Sequence, residues 1–452
     1  MTPFQLNDEL LALIRSDIEQ QNKSALKKRT QEYHYADLAE IIDELSVEEG
    51  VYLIKLLDSE KTSDVLTEVD EDIREKILEL LSDKEIAGEV EELDTDDAAD
   101  LIAELPQERQ AEVIAEIEDA ERAQDIQELL TYDEDSAGGL MAKELVRVNE
   151  NWTVTQCVRE MRKQASEVTR VHSIYVVDAD KTLIGRLSLK DLLTAKETAK
   201  VKSVSIPKVD YVNVHDSADD VAKLMAKYDL EAIPVVDDNK MLLGRITIDD
   251  IVDYIKDEAD KDYQLAAGIA SDVEADDTII ELTRARLPWL ILGLIGGLGS
   301  VFILEGFEEV MRHPSYKTLF FFTPLIAAMA GNVGVQSSAI IVQGLANDVV
   351  KGSLLSRLIK EVGLSLINGI ALGALLLVFG HFSGLETILS ITIALSMLCV
   401  IVVSALVGTF VPIVLDKRGI DPAIATGPFI TTSNDIFGIF LFFYIAKILL
   451  GF

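Results

Sequence analysis

The chain has 452 residues, long enough for three domains of ordinary size, and carries 78 Asp and Glu against 41 Lys and Arg, a formal net charge of −37. From residue 287 onward there are only 8 basic and 9 acidic residues, so −36 of that charge lies before it and the remainder is close to neutral and mostly apolar. Such acidity excludes nucleic acid and anionic lipid headgroups as partners of the first part and favours cations, although solubility alone accounts for it equally well. Two cysteines in separate domains, Cys157 and Cys399, exclude a disulfide or a Cys-built metal site. The opening residues, without a basic region or an apolar run, give no expectation of a cleaved signal peptide.

Leu45, Leu57, Val69, Leu81, Leu93, Leu105, Ile117 and Leu129 recur every twelve positions. Ser46, Asp58, Asp70, Ser82 and Asp94 follow the first five, and the side-chain oxygen of each residue type satisfies free amides at a helix start. Ser46 with Glu49 and Ser82 with Glu85 have the spacing of a capping box. The pattern predicts short helices of about two and a half turns, each closed by an apolar residue and restarted by a cap. One such helix cannot bury its apolar face alone, so neighbours stack into a right-angled, solenoid-like pile over residues 1–135. Asp96, Asp97 and Asp100 crowd one helix start, where capping and the helix dipole already explain them.

Residues 173–192 return 59 positions later as 232–251, with Val-Val-Asp turns and Gly-Arg-x-[Ser/Thr]-x-x-Asp in both copies. Each copy predicts a β-branched strand, a polar turn, a second strand opening at Gly185 or Gly244, and a helix capped by Ser188 or Thr247. These residues resemble a tandem pair of CBS domains, a regulatory α+β module that is often dimeric and sometimes binds adenosine nucleotides. That resemblance implies a ribose of ATP at Thr247 and Asp250, with capping and metal binding as competing uses of the same atoms. A mostly helical, carboxylate-rich connector follows from Asp253 to Asp276 and leads to Arg284 and Arg286.

Five apolar stretches, 287–304, 319–343, 363–382, 387–415 and 422–450, are long enough to cross a bilayer. With the acidic part in the cytosol, the inner flanks hold Arg284, Arg286, Lys351, Arg357, Lys360, Lys417 and Arg418. The outer flanks hold Arg312, Lys317 and Lys447, together with Glu305, Glu308 and Glu309. This bias obeys the positive-inside rule and places the C-terminus outside. Asp435 stands near the middle of the fifth stretch with no Lys, Arg or His at its depth, and a carboxylate there needs water, a cation or a partner. A protonated aspartate bonded between helices is the alternative. Asp421-Pro422 opens that stretch, Pro428 interrupts it, and Thr431, Thr432, Ser433 and Asn434 add oxygens before Asp435. In the second stretch Gly331 and Gly334 permit close packing or local unwinding, and Asn332 and Gln336 share a helix face. Nothing pairs a nucleophile with a base or forms a phosphate-binding glycine loop, so no enzyme is expected.

The helical N-domain, CBS pair, acidic connector and five spans resemble the MgtE magnesium-transport family over nearly the whole chain. The segments Ser136-Ala-Gly-Gly-Leu-Met141, Gly331-Asn-x-Gly-x-Gln-Ser337 and Asp421-Pro-Ala with Thr431-Thr-Ser-Asn-Asp435 carry the likeness. It implies a multidomain membrane protein: an all-α repeat domain (1–135), tandem CBS domains (136–256), a connecting plug helix (257–284) and a five-helix pore domain (285–452). It also implies a homodimer in the cell membrane whose pore, lined by the second and fifth spans, passes Mg²⁺ beside Asp435, with Asn332, Gln336 and Asp421 near the path. The family's regulatory magnesium sites fall on Asp64, Asp96 and Asp100, on Asp219, Asp229, Asp250 and Asp253, and on Glu258 and Asp262. Val335 and Lys261 depart from the family pattern, one in the pore segment and one inside the acidic connector. Transport of Mn²⁺, Co²⁺ or Zn²⁺, and a nucleotide-sensing membrane regulator that transports nothing, are the competing readings; the shortage of His and Cys disfavours the softer metals.

Overall fold

The computed structural model describes residues 4–165, 168, 170–271, 273–275, 277–347, 349–350 and 352–451, and the chain divides into two compact units, 1–255 and 256–452. Lys351 and Asp276, named above as an inner flanking charge and the end of the connector, lie outside the described residues.

In the first unit each turn of the twelve-residue pattern falls between two short helices. Leu45, Val69, Leu81, Leu93, Leu105 and Ile117 are buried at these junctions, Leu57 is half-buried, and Leu129 closes the last helix. Ser46 and Ser82 form complete capping boxes with Glu49 and Glu85, and Asp70 caps through the amide of Asp72. Helices pack on the next but one: Tyr35–Asp43 on Ser59–Glu68, Ser59–Glu68 on Asp83–Val90, and Asp83–Val90 on Gln107–Glu116. Val47–Ile54 lies on Glu71–Leu80, and Thr95–Ala103 on Ala120–Leu129. Ion pairs follow the same spacing, with Lys55 on Glu85 at 2.8 Å, Arg109 on Asp83 at 2.8 Å, and Arg74 clasping Glu104.

The duplicated segment gives two sheets of the same topology. In the first, β1 (Val146–Asn149) runs parallel to β2 (Ile174–Val177), which pairs antiparallel with β3 (Leu183–Leu187). In the second, β4 (Val212–Asn213), β5 (Ala232–Val236) and β6 (Leu242–Thr247) repeat the arrangement. An irregularity at Val176/Val177 recurs at Val235/Val236. The turns repeat too: Asp178 Oδ1 accepts from the amides of Asp180 and Thr182, Asp237 Oδ1 from those of Asn239 and Met241. The second strand of each pair opens two residues before Gly185 or Gly244, because antiparallel pairing begins right after the turn.

The last helix of the pair, Ile248–Ala267, continues without a break through much of the connector. It stops where Gly268 takes a φ of +81°, a conformation that ends helices readily with glycine. The connector is therefore an extension of the second CBS repeat and not a helix starting at 257.

The second unit holds five helices long and apolar enough to cross a membrane: Ile279–Gly306, Lys317–Ala346, Leu354–Phe382, Thr387–Asp416 and Gly427–Leu450. The first and third begin well before their apolar runs. A capping box between Thr278 and Glu281 starts the first, and Ser353 caps the third, so polar residues up to Arg286 and from Arg357 to Glu361 are already helical. The second shows no unwinding at Gly331 or Gly334 and is α-helical from Thr323 to Ala346. Pro428 does not interrupt the fifth span. It occupies the first turn of Gly427–Leu450, after a short turn at Pro422–Ala425, and there its missing amide costs nothing. The fourth span is the most enclosed and packs on the second, third and fifth around Ile393, Met397, Val400 and Ile401.

Candidate cation sites

With Pro428 at the helix start, Asp435 sits about 12 Å into the fifth helix from its first residue and about 5 Å short of its middle. Its side chain is half-buried and makes no hydrogen bond or ion pair among the described residues. Glycine creates its niche on the second span: a Cβ on Gly331 would lie 3.0 Å from Thr431 Cγ2 and 3.3 Å from Asp435 Oδ1. Asn332, next in sequence, and Gln336, one turn on, are exposed on one face of the second helix, with Val335 half-buried beside them. The polar run before Asp435 does not converge on it. Thr431 shares its face but bonds back to the Gly427 carbonyl at 2.9 Å, Thr432 packs on Gly296 of the first span, and Asn434 is fully buried. Asp421 is exposed and accepts from the Ala423 amide at 2.7 Å, so it caps the turn that precedes the helix.

That end of the fifth helix is also where the connector meets the membrane unit. A Cβ on Gly268 would lie 2.3 Å from Pro428 Cγ, and one on Gly427 2.1 Å from the carbonyl oxygen of Ala266. The Ala270 amide donates to the Ala285 carbonyl of the first span at 2.9 Å, and the Gln264 side chain exchanges two hydrogen bonds with the backbone of Val273. The connector's end is thus wedged against the helix that bears Asp435.

In the first unit the structure gathers carboxylates from distant parts of the chain. Asp94, Asp96, Asp97 and Asp100 come from the start of helix Thr95–Ala103, Asp249 and Asp250 from the start of Ile248–Ala267, and Glu144 from the strand-preceding loop. Asp96 is 9% exposed, and its Oδ1 has no hydrogen-bond partner among the described residues. Burial first, then the charges of Asp97, Asp250, Asp94 and Glu144, push its carboxyl well above the usual range. Asp97 is pushed to about 7 and Asp100 to about 6, again by burial first and then by Asp250 and Asp100 on the one, Glu134 and Glu104 on the other. Both residues are nevertheless exposed, and solvent screens part of that repulsion. Asp94 and Asp250 are raised too, chiefly by burial.

The positive charges among them do not balance the set. Arg245 reaches Asp94 at 3.3 Å and Arg122 reaches Glu144 at 3.4 Å. A cluster in which Asp94, Asp96, Asp97, Asp100 and Asp250 all hold protons too tightly is short of positive charge, and a divalent cation with oxygen preference could supply it. Asp64 lies outside this group but near it. Tyr35 senses both, its hydroxyl raised by burial and then by Glu68, Asp64, Asp249 and Asp97. Asp64 itself is raised by burial and by Glu60.

The remaining expected ligands are dispersed. Asp219 is in the first turn of helix Ala218–Tyr228, paired with Lys223 at 2.6 Å, while Asp229 caps the far end at a φ of +50°, about 15 Å away. Asp253, Glu258 and Asp262 share the helix Ile248–Ala267, with Glu258 and Asp262 one turn apart and Lys261 exposed beside them. Thr247 is 7% exposed, and both its amide and its hydroxyl donate to Asp250 Oδ2, at 2.9 and 2.7 Å. Its hydroxyl is therefore committed to the cap. Sequence reasoning missed Glu144 and Asp249 altogether, and it had left Asp94 as a cap; only the meeting of the two domains reveals their common ground.

An acidic cytosolic unit with paired CBS repeats, joined to five spans of which one carries a carboxylate unpaired among the described residues, points to a membrane transporter of divalent cations. Family profiles agree: "Divalent cation transporter" matches residues 323–445, "MgtE intracellular N domain" residues 33–135, and "CBS domain" residues 137–197 and 201–257. The magnesium transporters MgtE of Bacillus subtilis and Enterococcus faecalis are 34% and 35% identical over 318 and 319 residues, 70% of each chain. The chain belongs to the MgtE family. A crystal structure of the cytosolic domain of the Mg²⁺ channel MgtE in complex with ATP is similar at 32% identity and a TM-score of 0.51, covering 54% of this chain and 99% of that one.

Proposed function

We propose that two copies of the chain form a channel for Mg²⁺ in the cell membrane, closed by Mg²⁺ bound to the cytosolic carboxylates, with the C-terminus outside. The observation that carries this reading is Asp435, a half-buried carboxylate within a membrane span that no hydrogen bond or ion pair satisfies among the described residues. Mg²⁺ prefers six oxygens and keeps several of its waters, so one or two carboxylates suffice to hold it. An Asp435 from each copy, with Asn332 and Gln336 on the exposed face of the second span binding the retained waters, meets that demand. The membrane potential supplies about 4.6 kcal/mol per 100 mV for a divalent ion, enough to drive entry without ATP hydrolysis.

Closure follows from the charge shortage around Asp96. Without metal the carboxylates repel; Mg²⁺ joins them and favours the arrangement in which they lie together. About six sites, each preferring the closed state tenfold, bias it by roughly 8 kcal/mol, against about 5.5 for a near-complete inversion of populations. The wedge of Gly268 and Ala266 against Pro428 and Gly427 carries the connector's position to the helix that bears Asp435. ATP binding to the CBS pair is supported by the relative crystallised with it; with the Thr247 hydroxyl already bonded, a ribose there must displace the cap.

The test is Mg²⁺ uptake into liposomes by the wild type and Asp435→Asn, with internal Mg²⁺ set from zero to millimolar. Uptake is expected to vanish in the variant, and in the wild type to fall as internal Mg²⁺ rises. Undiminished uptake by Asp435→Asn would refute permeation past Asp435.

A further inference from the structure

A second carboxyl lies nearly as deep among the spans as Asp435. Glu361 is about 10 Å into the third span, and Ser337 about 13 Å from the end of the second. The short link between those helix ends, and the two crossings that follow, put them on the side where the fifth helix begins, about 12 Å from Asp435. Glu361 is half-buried, Ser337 is 6% exposed, and the Ser337 hydroxyl donates to Glu361 Oε1 at 2.7 Å. Helical serines and threonines commonly donate to the carbonyl one turn back, as Thr392 and Thr431 do at 2.8 and 2.9 Å. Ser337 reaches sideways instead, to another helix.

The two helices that this bond joins barely meet. Among the described residues the third span packs on the fourth, and the second on the fourth and fifth. The bond is therefore no by-product of a tightly packed pair, and an acidic side chain at this depth is costly unless it has a use. Its use is legible in the turn it holds. A Cβ on Gly408 of the fourth span would lie 3.1 Å from Ser337 Cβ and would collide with the Gly334 carbonyl oxygen. Small residues of this kind set how closely two helices approach, whereas a hydrogen bond is directional and sets how a helix is turned. Gln336 immediately precedes Ser337, on the exposed face that also carries Asn332. A rotation that released Ser337 would swing both amides.

We propose that Glu361 is a positioning residue for permeation: by accepting from Ser337 it fixes the rotation of the second span, and with it the bearing of Asn332 and Gln336 toward the ion. The inference rests on the reading that those amides bind the waters Mg²⁺ retains. Mg²⁺ demands near-ideal octahedral geometry, so amides turned away from its waters hold it less well.

Mg²⁺ uptake into liposomes without internal Mg²⁺, at varied external concentration, separates positioning from stability. Fewer assembled channels lower the maximal rate and leave the half-saturating concentration alone; misplaced amides raise that concentration. Ser337→Ala and Glu361→Leu should each raise it about fivefold, the equivalent of one hydrogen bond. The double variant should raise it no further, because both changes remove the same bond. Glu361→Gln, whose amide oxygen still accepts from the hydroxyl, should stay near the wild type. An unchanged half-saturating concentration in Ser337→Ala overturns the proposal. Glu361→Gln as impaired as Glu361→Leu overturns it too, in favour of a role for the charge itself. Where Glu361→Leu does not assemble, Ser337→Ala, which loses a single oxygen, and Glu361→Gln carry the test. Undiminished uptake by Asp435→Asn would sink the pore reading, whereas an unshifted Ser337→Ala beside a silent Asp435→Asn sinks the positioning role alone.

Discussion

Replacing Gly268 with alanine should uncouple the pore from its sensor. The residue has a φ of +81°, and its Cβ would lie 2.3 Å from Pro428 Cγ. An L-residue in that backbone region costs about 1–2 kcal/mol. Forcing a carbon so far inside the usual contact distance of about 3.5–4.0 Å adds about 1–3 kcal/mol. Both costs fall on the contact between the connector and the fifth span. If that contact belongs to the closed state, a loss of about 3 kcal/mol from a closing bias of roughly 8 leaves less than the ~5.5 needed for near-complete closure. Uptake into liposomes at low internal Mg²⁺ should be unchanged, and a residual flux of about 2% of the maximum, roughly a hundredfold above the wild type's, should persist at internal concentrations that silence the wild type. Gly384→Ala is the control, since its φ of +70° imposes the same backbone cost with nothing within 4 Å of the new carbon. Feedback in Gly268→Ala indistinguishable from that in Gly384→Ala would show that the wedge does not transmit the signal.

Three further expectations follow from the geometry. Asp96→Asn removes a buried, unpaired charge without changing volume; the cytosolic unit should melt higher without metal and gain less from Mg²⁺, as differential scanning fluorimetry of the full chain in detergent would report. The pH dependence has a definite sign. Asp97 and Asp100 titrate at about 7 and about 6 in the fold, above their unfolded values near 3.9, so their ionisation opposes folding. That penalty is full above pH 7 and fades as pH falls through 7 and 6, so metal-free stability should rise between pH 8 and 5 while the Mg²⁺-induced gain shrinks; a Mg²⁺ gain independent of pH would contradict this. Gly334→Ala, which meets Asn434 and Ile430, should lower the melting temperature of the membrane unit by an amount equivalent to about 1–3 kcal/mol, whereas Gly293→Ala, with nothing within 4 Å, should not.

Much of the architecture was legible because it depends on local periodicity. A branched apolar residue every twelve positions marks the helix ends since every short helix must end by burying something, and the 59-residue duplication produces two sheets that share even their irregularity. Errors arose where apolarity is a poor proxy for helix. The helices containing Arg286 and Glu361 begin on turns that mix apolar with charged residues and so fall outside the apolar runs, and Pro428 reads as a break only if the helix is assumed to start at Pro422. The acidic cluster was half visible for a different reason. Asp96 and Asp100 stand together in sequence, but Glu144 and Asp249 reach them from other elements, and no periodicity reports which surfaces will meet.

The two carboxylate sites differ in a way that suits two tasks. Around Asp96, burial and several like charges raise Asp96, Asp97 and Asp100 together, so in the function proposed above an ion that satisfies them binds several oxygens at once and stabilises one domain arrangement. In that proposal the site senses, because release requires the carboxylates to separate. Asp435 offers a single carboxylate per chain, with the amides of Asn332 and Gln336 on the neighbouring helix rather than further charge. Conduction requires binding strong enough to admit an ion and weak enough to let it go. Added acidity beside Asp435, as in Asn332→Asp, should therefore slow flux while tightening Mg²⁺ binding, whereas faster flux with unchanged affinity would mean that charge at this point does not hold the ion.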